Sequence, residues 1–536
     1  MTASRNAGMG LIVGSALLLS SSAASAQAEV VLNIAIPTLG TMDFAPITSD
    51  QDNEKWLALI GNGLVGLNRE TAKFEPELAE SWTVNDDGTE WTFKLRPNVK
   101  FQGGWGTVTA DDVKFSWEQW IVEASTHSAR KIYRQAVSDD IANFEIVNDL
   151  EFKIKASQPV HHLLAALCSC EPGVTVFPRA YYEQKGEEAI QHPIGTGAFQ
   201  YVSHADGEEL VLEKFDDFWG EKAKIDRVVI KEIPDGAARL TQVQAGAIDL
   251  AQLDGSLVGE AEASGLKILG IPAVRNAFIF LGGSYWTKPE LLDKASPWIQ
   301  ADNPEKGKAV REAMSLAIDR KAILDVALGG HGTLSYGPVV ANPLNADLVD
   351  PSWDYPKYDP ELAKQKLAEG GYPDGFEVNM PLFGDDFDTE AMGEMVADMW
   401  EAIGLKVNRM PMEGDTLESK ENAFETGGLA WVSTVSMAPE PARPLFSYTT
   451  KTADEGSIKQ FHKSIDDAYA LLTAEPVEAE RRRITREMTT ALRDDYIYLT
   501  LMAGDMLFVA GPRFGEWKPT PTVNTVNSLE TITVNP

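Results

Sequence analysis

The chain is poor in cysteine, in basic residues and in long apolar runs. Only Cys168 and Cys170 occur among 536 residues. A zinc site needs more ligands than this pair provides. Residues two apart do not face each other on a helix, and a bridge between them would be strained. The expectation is two small hydrophobes in a packed segment. Lys and Arg total 47 against 80 Asp and Glu, a formal net charge of −33. Such a chain repels nucleic acid and anionic lipid head groups, so neither is an expected partner. Past the N-terminus no stretch is long and apolar enough to span a bilayer. The sequence has no P-loop signature, no G-x-S-x-G and no H-E-x-x-H. Short repeats, low-complexity tracts and charge blocks are also missing.

What is present begins with an export pattern. Arg5 precedes an apolar run from Gly10 to Leu19, and small residues follow from Ser20 to Ala26. Ala24-Ser25-Ala26 and Ala26-Gln27-Ala28 both fit an A-x-A cleavage site, so residues 1–28 read as a signal peptide. No cysteine follows that run, which predicts a periplasmic protein without a lipid anchor. The length implies roughly two to four domains. With 44% hydrophobic and 24% charged residues, the composition is that of a globular chain.

Strand and helix patterns alternate, which predicts an α/β protein. Ser81 to Arg96 reads as a hairpin, with Trp91, Phe93 and Leu95 alternating and Asn85-Asp86-Asp87-Gly88 as its turn. Thr109 starts a helix with Asp112 as its capping-box partner. Val113, Trp117, Trp120 and Ile121 share one face of that helix. Further on, Val310, Ala313, Met314, Ala317 and Ile318 form an apolar helical face. Asp319 caps the next helix, and Asp359-Pro360-Glu361 opens another. Met392, Val396, Trp400 and Ile403 mark one more.

Gly195-Thr196-Gly197 precedes a strand rather than a helix, so it reads as a turn and not a phosphate cradle. His161 and His162 are adjacent and point different ways, a poor joint metal site. His331 sits in Gly-Gly-His-Gly as a loop residue. Acidic pairs such as Asp111-Asp112, Asp216-Asp217 and Asp385-Asp386 read as caps or solvated faces, and no acid–base couple stands out. The 13 Trp, 13 Tyr and 21 Phe exceed what a pocket needs, and sequence does not separate core rings from ligand-facing ones.

Taken in order, several short motifs resemble one family. They include Asn62-Gly63-Leu64-Val65-Gly66-Leu67, Pro76-Glu77-Leu78-Ala79-Glu80-Ser81-Trp82, and Thr109-Ala110-Asp111-Asp112-Val113. Gly195-Thr196-Gly197, Asp217-Phe218-Trp219-Gly220, Ala317-Ile318-Asp319-Arg320 and Gly370-Gly371-Tyr372-Pro373-Asp374-Gly375 follow. Together they resemble the family 5 extracellular solute-binding proteins of dipeptide, oligopeptide and nickel ABC importers. The resemblance implies a two-lobed, periplasmic-binding-protein-like α/β fold with mixed sheets. Lobe I would comprise residues 29–67, 192–275 and 496–536, with an inserted subdomain at 68–191. Lobe II would span 276–495, and hinges would lie near Pro272–Arg275 and Asp495–Tyr498. It further implies a monomer that takes a small solute to an inner-membrane permease and its ATPase subunits, without cofactor, resident metal or catalysis.

In peptide-binding relatives an Asp shortly before a Pro-Asp-Pro-like turn pairs with the peptide's amino terminus. Here the matching stretch runs from Trp431 to Pro441, and Met437 stands where that Asp is expected. A buried ammonium without a carboxylate partner is costly, so opines and oligosaccharides stand beside peptide-like solutes as candidates. Asp43, Asp50 and Glu440 are alternative cation partners, and Arg443 is suited to a carboxylate. Trp431, Ser433, Thr434, Ser436 and Asn276 complete the candidate ligand set. Two other readings stay open: a secreted hydrolase using His331, Asp385 and Ser433, and a peptide-binding chaperone or sensor. Restoring the missing acid by Met437→Asp is expected to raise affinity for peptides with a free amino terminus. Calorimetric titration against a peptide panel measures this, and no gain for any peptide refutes the placement of Met437.

Overall fold

Alternation of apolar residues sets the local structure, and the computed structural model shows how the pieces assemble. It describes residues 29–535 apart from 41, 43, 48–50, 72, 128, 171–173, 336, 338–347, 351, 355–356, 385–387, 437–461, 476, 522 and 524. The side chains of residues 51–54, 273 and 436 are likewise left aside.

The early hairpin forms as its pattern requires. Strands Ala79–Val84 and Glu90–Leu95 pair antiparallel, and Trp91, Phe93 and Leu95 are buried. Its turn closes because Asn85 Oδ1 accepts from the backbone N–H of Thr89 and Glu90 at 2.9 and 2.8 Å. Gly88 takes φ +73°, where a side chain would be strained. The hairpin joins Glu151–Lys155 and Phe144–Asn148 in a four-stranded sheet. Helix Ala110–Ile121 covers it, with Asp112 accepting from the Thr109 backbone N–H at 2.9 Å and hydroxyl at 2.7 Å. Trp117, Trp120, Phe93 and Phe152 meet in a core drawn from Leu64 to Val176.

A nine-stranded sheet carries the rest. Its order is Ala430–Ser436, Lys267–Leu281, Leu499–Ala510, Leu250–Gln252, Val31–Ile36, Arg227–Glu232, Glu209–Lys214 and Phe199–Ala205, with Gly332–Leu334 also pairing with Leu499–Ala510. Two separate cores use this sheet. Leu32, Ile34, Leu212, Ile230, Met506 and Phe508 belong to one. Ala277, Ile279, Val310, Met314, Leu501 and Met502 belong to the other, packed by helices Pro304–Leu316, Arg320–Ala327 and Thr389–Ala402.

Strands Lys267–Leu281 and Leu499–Ala510 therefore serve both halves. Their pairing is regular from Lys267↔Ala510 to Ile271↔Met506, then shifts register before Arg275↔Gly504. Within the returning strand Leu499, Leu501 and Met502 pack in the second core and Met506 and Phe508 in the first.

The capping signals hold. Asp319 Oδ1 accepts from Ala322 N–H at 3.0 Å, and Asp359 Oδ1 from Leu362 N–H at 2.9 Å. Gly195 and Gly197 pack against the Ile60–Gly61 backbone, leaving no room for Cβ atoms. The Gln102 side chain stitches the same junction, its amide donating to the carbonyls of Ile60 and Phe199 at 2.9 and 2.8 Å. This turn is a packing joint.

The cysteines depart from expectation: Cys168 and Cys170 are joined in a disulfide, their Cα atoms 5.0 Å apart. The helical spacing argument fails because helix Leu163–Ala166 has ended and Cys168 bridges Val65 in extended backbone. Between them the Ser169 hydroxyl accepts from Gly63 N–H at 2.6 Å and donates to Glu77.

Glu77 also accepts from Asn62 Nδ2 at 2.8 Å. Burial pushes its carboxyl up to about 7, outweighing the hydrogen bonds from Ser169 and Asn62. A folded-state value above the ordinary one means the folded protein holds a proton that the unfolded chain has lost. That contribution is full below pH ~4.5 and vanishes as pH rises through about 7. Unfolding free energies of the wild type from urea titration should therefore fall between pH 4.5 and 8, by at most about 3 kcal/mol. Glu77→Gln should flatten this slope, and an unchanged slope contradicts the assignment.

Candidate functional site

Parallel strands end together, and their carboxyl ends locate the site. In the first half Val31–Ile36 runs parallel to Arg227–Glu232 and to Leu250–Gln252. In the second half Glu377–Leu382 runs parallel to Lys406–Pro411, and an Asn379↔Leu429 bridge aligns it with Ala430–Ser436. Ligands of open α/β sheets bind outside such carboxyl ends. Here the loops leaving both sets reach each other, since Asp388 Oδ2 accepts from Gly255 N–H at 3.2 Å.

The first wall is held by side chains that reach back to strand ends. Glu232 Oε2 accepts from Leu39 N–H at 2.7 Å, and Trp56 Nε1 donates to the Leu39 carbonyl at 2.8 Å. Buried Arg239 donates to the carbonyls of Ile233, Pro234 and Gln252 at 2.7, 2.8 and 2.9 Å, and pairs with Asp254. Its guanidinium thereby ties the loop after Glu232 to the loop after Gln252. Burial pulls Arg239 below its usual range, while Asp254 and Asp235 oppose that shift.

The floor is the strand crossing. Arg275 pairs with Ser436 and Gly504, and Asn276 with Val435 and Ala503. Arg275 Nη1 donates to Thr434 Oγ1 at 3.0 Å. Asn276 is 2% exposed.

Of the sequence candidates, Asn276, Thr434 and the backbone of Ser436 therefore come together at the crossing. Ser433 is buried opposite Phe278. Trp431 is fully buried, stacked on Phe280 at 5.7 Å between ring centroids. It sits among Leu417, Ile465, Met488 and Tyr498, so its ring fills the second half's other core. Asp43, Asp50, Met437, Glu440, Arg443 and Asp385 fall outside the described residues, as does the side chain of Ser436. Sequence reasoning missed Arg239, Asp254, Gly255, Arg275 and Asp388. Only Arg275 carried a usable signal, as the residue before Asn276 at the expected hinge.

The hydrolase trio does not assemble. His331 precedes strand Gly332–Leu334, and Ser433 lies three strands away across the sheet. At strand spacing that is at least roughly 14 Å. Among the described residues no group of three or more His, Cys, Asp or Glu could hold a metal ion. Among them also, no helix is long and apolar enough to cross a membrane.

Comparison with known proteins places the geometry in context. Residues 73–454 match the model of the bacterial extracellular solute-binding proteins, family 5, middle region. Heme-binding protein A of Haemophilus influenzae is 28% identical over 398 residues, covering 69% of this chain and 68% of that protein. Glutathione-binding protein GsiB of Escherichia coli O1:K1 / APEC is 26% identical over 488 residues, covering 88% of each. The ABC transporter-associated periplasmic binding protein DppA from Helicobacter pylori, solved with the peptide STSA, shares the fold with a TM-score of 0.74. Its identity is 19%, over 94% of this chain and 98% of that one.

The burial of Trp431 sets an expectation. Trp431→Ala should cost about 3–5 kcal/mol of stability by opening a core cavity. Urea denaturation measures it, and a loss under 1 kcal/mol would contradict a core role.

Proposed function

This chain belongs to the bacterial extracellular solute-binding proteins of family 5, and we propose that it grips a polar small solute between two lobes by bending at residues 272–274 and 504–506. It is the binding component of an ABC importer and hands its solute to the membrane permease. The working compartment in this reading is the periplasm, and the working form is a monomer.

One observation carries the mechanism: the two halves are joined by a strand pair whose register shifts between Ile271↔Met506 and Arg275↔Gly504. Rotation about that irregularity leaves the pairing from Lys267 to Ile271 and from Arg275 to Ala277 in place, so each lobe moves as a body. A solute touching both walls makes its full set of contacts only when the cleft is shut. It therefore shifts the population toward the closed form without any covalent step. The closed surface is what a permease reads.

Peptide-like solutes, opines and oligosaccharides are the candidate classes. GsiB and DppA, by their names and ligand, speak for a peptide-like solute. Met437, in place of the expected acid, speaks against a partner that relies on its α-amino group. Thr434 and Arg275 at the floor supply a hydroxyl and a guanidinium of the kind that holds polar groups. The separation of His331 from Ser433 is why binding is preferred over hydrolysis.

Mass spectrometry of small molecules released from the purified protein identifies the solute directly. In parallel, a thermal-shift panel of peptides including glutathione, opines, oligosaccharides and metal chelates tests the class. A true solute at a hundredfold excess over its dissociation constant should stabilise by about 3 kcal/mol, and small-angle scattering should show compaction. Stabilisation without compaction refutes the clamp, and turnover of a stabilising compound refutes the non-catalytic reading.

A further inference from the structure

The two halves make a contact that no solute is needed to form. Asp388 occupies the N-cap position of helix Thr389–Ala402, where an Asp ordinarily bonds its own helix's free N–H groups. It makes no such cap bond. Its carboxylate accepts instead from Gly255 N–H, 133 residues away in the other half, at 3.2 Å. Asp388 also holds a left-handed conformation, φ 57° and ψ 30°, a strained state that L residues rarely keep without cause.

Gly255 explains why the two loops fit so closely. A Cβ on it would lie 2.1 Å from the Ala327 carbonyl oxygen and 2.6 Å from Leu328 Cα, both backbone atoms of the opposite half. Its own φ is not in the left-handed region, so the requirement for glycine comes from the neighbour and not from the loop. One turn on, a Cβ added to Gly329 would lie 2.6 Å from the Val258 Cβ, so this pair also fits only with glycine. Behind Gly255, Asp254 is fixed by the buried Arg239, which ties this loop to the body of the first half. Both loops follow carboxyl ends of parallel strands, the side on which ligands of open α/β sheets bind.

We propose that Gly255 and Asp388 form a latch that sets the balance between open and closed forms before any solute binds. They are positioning residues: neither need touch the solute, yet apparent affinity scales with the fraction of protein already closed. The open form lacks the Gly255–Asp388 bond, so closing gains one hydrogen bond from this pair. This makes it a bias and not a lock. The inference rests on the two-lobed clamp reading.

The test uses full-length mature protein, stripped of copurified solute by guanidinium unfolding and refolding, with small-angle scattering as the readout. Gly255→Ala should wedge the lobes and give a more open average. Asp388→Gly removes the carboxylate without left-handed strain and should shift the open-to-closed ratio by about tenfold, the size of a charge-assisted hydrogen bond. Asp388→Asn keeps an acceptor and tolerates the same backbone, so it should remain close to wild type. Gly259→Ala, whose Cβ meets nothing within 4 Å, is the control and should scatter like wild type. Melting of each variant establishes that both lobes are folded. Gly255→Ala and Asp388→Gly as compact as wild type overturn the latch. So does Asp388→Asn as open as Asp388→Gly. Failure of the clamp itself would look different: wild type would not change compactness with the solute identified from the purified protein.

Discussion

Two antiparallel strands, Lys267–Leu281 and Leu499–Ala510, are the constraint on which the rest depends. Each contributes apolar side chains to both cores, so neither half is complete without them. A continuous ladder would weld the halves into one stiff sheet. The register shift between Ile271 and Arg275 relieves that stiffness while backbone pairing on either side is retained. In the proposed clamp, bending would be confined to the few residues at that shift.

Rigid halves are needed if bending is to close a cleft and not merely deform it. Buried guanidinium groups supply much of that rigidity. Arg320 donates to the carbonyls of Thr500 and Ser315 at 2.6 and 3.0 Å and to Ser315 Oγ at 2.8 Å. It joins the end of one helix to the crossing strand. Arg311 does the same for Asp495 and Trp298, donating to their carbonyls at 2.8 and 2.7 Å. Burial draws both down to about 10, so both remain charged at neutral pH. Arg suits this task because its planar fork satisfies several carbonyls at once. With Arg239 at the first wall, these groups let the loops near the gap keep their shape as the lobes move.

The acid-rich composition and the site chemistry are separate matters. Carboxylates such as Asp319 and Asp359 cap helices, as the sequence suggested. The few that matter at the gap, Asp254 and Asp388, belong to no motif. Asp254 pairs with Arg239 and Asp388 accepts from Gly255, 133 residues away, and the sequence around neither announces its partner. Trp431 illustrates the opposite error. Its place in a family-like stretch suggested a cleft wall, yet strand alternation turns its ring onto Phe280 and into the core. Val432 and Ala430 on the same strand point to the other core, so the period of two was readable but the direction was not.

What the sequence determined by itself is local: the hairpin at Trp91, the caps at Thr109, Asp319 and Asp359, the packed turn at Gly195–Gly197, and the helical faces around Met314 and Trp400. Each depends on residues a few positions apart, where sterics and hydrogen bonding act directly. Order and spacing of such pieces also identified the family and the α/β class. Tertiary structure alone decided the disulfide between Cys168 and Cys170, the sharing of Leu499–Ala510 between two cores, the burial of Trp431, and the meeting of Gly255 with Asp388. These depend on which surfaces meet after the chain has doubled back, and pairing between distant segments leaves no periodic trace in the residues that take part.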